Sequence, residues 1–123
     1  MKKFITYFEI PAADFNRAVK FYETVFGVSL EICSYKGNRQ MAFFPGENGK
    51  FQGAVSSNPV CIPVNNGVFI SFQVDNMEQT LDQIKKMGGT ILHSKEKIEE
   101  KGFGYSSLFI DSEGNRIGLN SER

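Results

Sequence analysis

The chain has 123 residues, and its 14 basic and 14 acidic side chains cancel to a formal net charge of +0. That length supports one domain around one modest core. The interspersed charge lacks the concentrated positive field that phosphate backbones require, which excludes a nucleic-acid partner. No apolar run is long enough to span a bilayer, so no membrane partner is expected.

The N-terminal MKKFITYFEIP joins two lysines to a short apolar run. It turns polar at Glu9 and offers no small-residue cleavage site, so it does not read as a secretory leader. Cys33 and Cys61 have apolar or β-prone neighbours and no base beside them in sequence. They fit reduced thiols of a cytoplasmic protein better than a disulfide or a nucleophile.

In chain order, FITYFEI (residues 4–10) is the first strand, rich in aromatic and β-branched residues. Asp14 is placed to accept from the free amides of a first helical turn. The helix that follows carries Ala18, Val19, Tyr22, Val25 and Phe26 as one apolar stripe and stops at Gly27. VSLEICSY, RQMAFF and FQGAVSS then read as three strands, separated by turns at Gly37-Asn38 and Gly46 to Gly49. A linker around NPVCIPVNNG contains two prolines.

Beyond the linker the pattern repeats. VFISFQV (68–74) matches FITYFEI, Asn76 with Gln79 has capping-box spacing, and Met77, Leu81, Ile84 and Met87 form a second apolar stripe ending at Gly88. TILHSKEKI, GYSSLFI and NRIGLN supply three more strands. The chain is therefore expected to be α+β, with two tandem βαβββ modules: module one over about 1–58, a linker over about 59–66 and module two over about 67–123.

Alternation divides each leading strand between two faces. Phe8, Ile10, Phe72 and Val74 make the more apolar faces and are expected against the helices. Ile5, Tyr7 and Glu9, with Phe69, Ser71 and Gln73, make mixed faces that suit either a cavity wall or an ordinary half-exposed sheet.

YFEIPAADFNRAVKFYETVFG, with Arg17, Phe21-Tyr22 and Phe26-Gly27, resembles the opening module of the glyoxalase/bleomycin resistance/dioxygenase superfamily, the vicinal oxygen chelate proteins. VDN, KKMGGTIL and GYSSLFIDSEGNRIGL resemble its closing module, so the resemblance covers nearly the whole chain. It implies sheets curved round a shared pocket, often completed by a homodimer. It also implies, in metal-dependent members, a His or Gln on each module's first strand and a Glu on each last strand.

Carried over by motif, those positions fall at Ile5, Phe69 and Gly118, with Ala54 as the counterpart in QGAVSS. None of the four side chains donates to a metal. No metal and no other cofactor is expected, which counts against metal-dependent lactoylglutathione lyase or dioxygenase chemistry.

Within this frame the candidate ligand-binding residues are Tyr7, Glu9, Phe69, Ser71, Gln73 and Tyr105. Phe43 and Phe109 are further aromatic candidates whose alternative is core packing. Glu9 is the candidate catalytic base with Gln73 as polariser; its alternative is a structural hydrogen-bonding role. His93 reads as a surface imidazole, and GFGY (102–105) as a flap or a hairpin turn. The function this supports is binding of a small organic molecule in the pocket or dimer groove. The alternative is a metal-independent lyase or isomerase using Glu9.

Overall fold

The computed structural model describes residues 4–35, 39–99, 102 and 104–123. The expected Gly37-Asn38 turn and Phe103 of the GFGY segment lie outside the described residues.

The first half runs β1 (Phe8–Pro11), α1 (Phe15–Phe26), β2 (Glu31–Ser34), β3 (Gln40–Phe43), a single 3-10 turn (Glu47–Gly49) and β4 (Gly53–Ser57). The second runs β5 (Ser71–Gln73), α2 (Met77–Lys86), β6 (Thr90–Lys97), β7 (Tyr105–Ile110) and β8 (Arg116–Ser121). Each half forms one four-stranded mixed sheet, in the orders β1-β4-β3-β2 and β5-β8-β7-β6. The leading strand of each half pairs parallel with the last strand of the same half. This is the expected α+β architecture of two βαβββ units.

Local chemistry sets the helix ends. Asp14 is extended and its carboxylate accepts from the Arg17 amide at 3.1 Å, while Asn76 accepts from the Gln79 amide at 3.0 Å. Gly27 closes α1 in the left-handed region at φ 63°, which glycine enters without a Cβ penalty. On α1 the buried set is Phe15, Ala18, Val19, Phe21, Tyr22 and Val25. Phe21 thus joins the expected stripe, and Phe26 is only half-buried.

Phe21 is buried because α1 is covered on two sides. The helix packs on β4 of its own sheet and on α2, and the Phe21 ring reaches Phe109 of β7 at 6.2 Å. One hydrophobic cluster therefore joins both helices with the inner faces of both sheets. Ile10 is buried in it, and Phe8, Phe72 and Val74 pack against it, as strand alternation predicts.

The turn between β7 and β8 fastens the halves together. Tyr22 Oη donates to Asp111 Oδ2 at 2.5 Å, and both residues are buried. Asp111 also accepts from the amides of Glu113 and Asn115 at 2.9 Å and from Asn115 Nδ2 at 3.1 Å. Asn115 Nδ2 donates to the Pro11 carbonyl at the end of β1 at 2.7 Å, and Asn115 Oδ1 accepts from the linker amide of Val64 at 3.2 Å.

Arg17 forks onto Glu113 at 2.7 and 3.1 Å, and the Asp14 amide donates to the same carboxylate at 2.7 Å. Burial works to raise the Glu113 pKa. The hydrogen bonds from Arg17, the Asp14 amide and Ser112 outweigh it and hold the carboxyl below its ordinary value.

Candidate ligand cleft between the two sheets

β1 and β5 are both outermost strands, paired on one side only. Their inner faces meet through the rings of Phe8 and Phe72, 5.8 Å apart edge-to-face. Phe26 and Phe44 close on Phe72 at 4.6 and 5.4 Å, giving a four-ring floor. A cavity of about 1010 Å³ opens above this floor, bounded by the C-terminal end of α1 and by α2 as far as Gln83.

The polar margin of the cleft is made of amides. Asn76, Gln79 and Gln83 come from one side of α2, Gln73 from the end of β5, and Gln52 from the residue before β4. Spacings of three and four residues put the α2 amides on one stripe of the helix. Ser71 and Ile5 complete this margin, and among the described residues that line the cleft Asp75 carries the one formal charge. Hydrophobic walls with a few convergent polar groups are the usual composition of a small-molecule site.

The expected site residues fall into separate places. Ser71 and Gln73 line the cleft. Phe69 is partly exposed, with its ring 5.0 Å beneath the Arg116 guanidinium, whose Nη2 donates to the Gly67 carbonyl at 2.5 Å. Tyr7 and Glu9 lie on the outer face of the first sheet and are not among the residues lining the cleft. There desolvation first, then the charge and hydrogen bonding of Glu9, push the Tyr7 phenol up to about 12.

Tyr105 sits on the inner face with Ser107 and Phe109, packed against the core and covered by Lys95 Nζ at 4.5 Å. It is thus opposite to the face that carries Phe69, Ser71 and Gln73. Phe109 is a core residue, fully buried, and Phe43 stacks on Phe51 at 4.8 Å. His93 is exposed on β6.

The cleft amides on α2 were not singled out from sequence. The available signal was a stripe of uncharged Asn76, Gln79 and Gln83 beside the charged Glu78, Asp82, Lys85 and Lys86.

The metal-ligand positions can be tested on the strand register. Ser71 stands beside Gly118 and Gln73 beside Asn120, whereas Glu9 stands beside Ala54. With Tyr7 equivalent to Ser71 in the repeat, one step back from the Phe8–Gly53 pair places Gln52 as the counterpart of Gly118. Ala54 corresponds instead to Asn120. The expected position in module one therefore moves two residues, because strand order and spacing do not fix a parallel register.

The revised set is Ile5, Phe69, Gly118 and Gln52, with one amide oxygen among four positions. At Gly118 a Cβ would stand 2.3 Å from Ser71 Oγ and 3.0 Å from Phe69 Cε1, so neighbouring side chains already fill the space a glutamate would enter. Among the described residues no three His, Cys, Asp or Glu side chains gather as a metal-holding group. These residues do not fit the family's metal centre.

The match to the glyoxalase/bleomycin resistance protein/dioxygenase superfamily model runs over residues 4–119, and the chain belongs to that family. Among solved structures, a glyoxylase/bleomycin resistance protein/dioxygenase domain from Frankia sp. EAN1pec superposes with a TM-score of 0.75 at 11% identity, covering 100% of both chains. The fosfomycin resistance protein FosX from Listeria monocytogenes gives 0.66 at 18% identity, covering 98% of this chain and 92% of that one. A family enzyme from Burkholderia phytofirmans PsJN gives 0.69 at 15% identity, covering 97% and 98%. At these identities the likeness is one of fold. No curated protein matches the chain. No helix of the described residues is long and apolar enough to cross a membrane.

Proposed function

We propose that this chain is a ligand-binding member of its family, taking a small organic molecule into the cleft between the two sheets. The observation that carries this is the cleft itself, about 1010 Å³ with a phenylalanine floor and an amide margin. A volume of that size accommodates a drug-sized molecule. Stacking on Phe72 and Phe26 would supply affinity, and the amides would set orientation. Glu9 does not line this cleft, so the binding reading needs no contribution from it.

The same reading includes a homodimer. Phe4, Ile5 and Val68, just ahead of the two leading strands, are 97%, 77% and 96% exposed, a concentration of apolar surface suited to a second copy. Light scattering of the purified chain measures that state directly.

The binding test is a two-dimensional NMR screen of small heteroaromatic compounds, read on the side-chain amide signals of Gln73, Gln79 and Gln83. Binders that shift these signals, and lose affinity in Gln79→Ala, support the reading. A screen whose binders shift only residues outside the cleft, or that yields none, defeats it.

A further inference from the structure

The charge inventory of the cleft points to a ligand class. Resting on the reading of the cleft as a ligand site, we infer that it selects an uncharged, flat aromatic or heteroaromatic molecule bearing amide-type donors and acceptors, and rejects anions. Among the described residues, those that line it include four glutamines, Asn76 and the single carboxylate of Asp75, and no Lys, Arg or His. A carboxylate or phosphonate seated on the phenylalanine floor would leave water with no cation to pair with it, and an unpaired buried charge is strongly disfavoured.

The α1 end at the cleft acts in the same direction. Residues Thr24, Val25 and Phe26 of the α1 C-terminus line one wall. Among the described residues no donor reaches their carbonyls. A helix C-terminus carries partial negative charge, which repels anions. The N-terminus of α2 carries the opposite partial charge, and two neighbouring groups reduce its pull on an anion. Asn76 Oδ1 accepts from the Gln79 amide, and the carboxylate of Asp75 adjoins it in the chain.

Glutamine side chains present an acceptor oxygen and two donor hydrogens at one edge. Gln79 and Gln83, four residues apart on one stripe of α2, can therefore pair with a lactam, carboxamide or nucleobase-like edge in either orientation. The four rings beneath accept the flat face of the same molecule.

The test titrates the full chain at about pH 7 with 2-naphthamide and 2-naphthoate, which share shape and aromatic surface but differ in charge. The readout is the chemical shifts of the Gln73, Gln79 and Gln83 side-chain amides. The expected result is that 2-naphthamide shifts these signals and binds at least about tenfold more tightly than 2-naphthoate. Gln83→Lys supplies the missing cation and removes one pairing amide, so it should raise naphthoate affinity about tenfold and lower naphthamide affinity, reversing the preference. Gln79→Lys is the second variant with the same expectation.

Naphthoate binding equal to or tighter than naphthamide in the unmodified chain overturns the charge selection and leaves the cleft as a ligand site. Failure of both compounds to shift any of the three amides counts against the ligand site itself, and the selection falls with it.

Discussion

Replacing Tyr22 by phenylalanine removes one oxygen from the seam between the two halves and leaves the ring in place. The residue is fully buried, its phenol donates to Asp111 Oδ2 at 2.5 Å, and the other donor on that oxygen is Asn115 Nδ2 at 3.1 Å. A hydrogen bond to a charged group contributes roughly 1.5–3 kcal/mol, so Tyr22→Phe should cost about 2 kcal/mol. For a chain of 123 residues the unfolding entropy is about 260 cal/mol/K, and about 2 kcal/mol then lowers Tm by about 8 °C.

The pH dependence supplies a second, independent sign. Burial first, then the charge and hydrogen bond of Asp111, raise the Tyr22 pKa well above its ordinary value of 10.0. In the unfolded chain the phenol ionises near that ordinary value, while in the folded chain it keeps its proton. Above pH 10 the folded state therefore holds one more proton, and stability falls by about 1.4 kcal/mol per pH unit from this residue.

Tyr22→Phe has no such phenol, so the gap between the two proteins should narrow as pH rises from about 9 to about 11. Urea unfolding followed by circular dichroism across that range measures both quantities. A neutral-pH difference below about 0.5 kcal/mol, or a gap that stays constant with pH, would refute the assignment of this hydrogen bond to the seam.

Three other outcomes follow from the geometry. Gly118→Ala should lower stability by about 1 kcal/mol through crowding of Ser71 and Phe69, and Ser71→Ala in the same chain should recover part of it; equal losses in both backgrounds would show that Ser71 Oγ is not the obstacle. Tyr7, pushed up to about 12 by desolvation and then by Glu9, should remain a phenol at pH 11, and Glu9→Gln should bring its ionisation to lower pH in a tyrosinate absorbance titration. Glu113 is held below its ordinary 4.5, so its contribution is present above that value and lost as pH falls through its folded pKa. Arg17→Met should accordingly move the midpoint of acid unfolding to higher pH, and an unchanged midpoint would show that the ion pair adds nothing.

The architecture was legible because its signals are local. Asp14, Asn76 and Gly27 perform at the helix ends the roles their positions predict, and alternation in the leading strands put Phe8, Ile10, Phe72 and Val74 on the side that packs. Phe21 escaped the stripe because helical periodicity reports one covered face, and α1 is covered by both its own half and the other.

The site was less legible for two physical reasons. Parallel pairing between strands distant in sequence moved the counterpart of Gly118 from Ala54 to Gln52, and the antiparallel register of β7 on β8 put Tyr105 on the inner face. The cleft margin is built of neutral amides on a helix, which in sequence look like any solvated polar positions. Only the juxtaposition of α2 with the floor phenylalanines gives them a purpose.

The turn at Asp111–Asn115 has a consequence for how kinship and chemistry can separate in this chain. Arg17, Tyr22 and the DSEGN segment, which make the lineage recognisable, are joinery: they rivet α1, the end of β1 and the linker to the second sheet. None of them lines the cleft. Substitutions among Gln52, Gln73, Gln79 and Gln83 can therefore retarget the cavity while every rivet stays in place. Under the binding reading proposed above, descent is written in one set of residues and ligand preference in another.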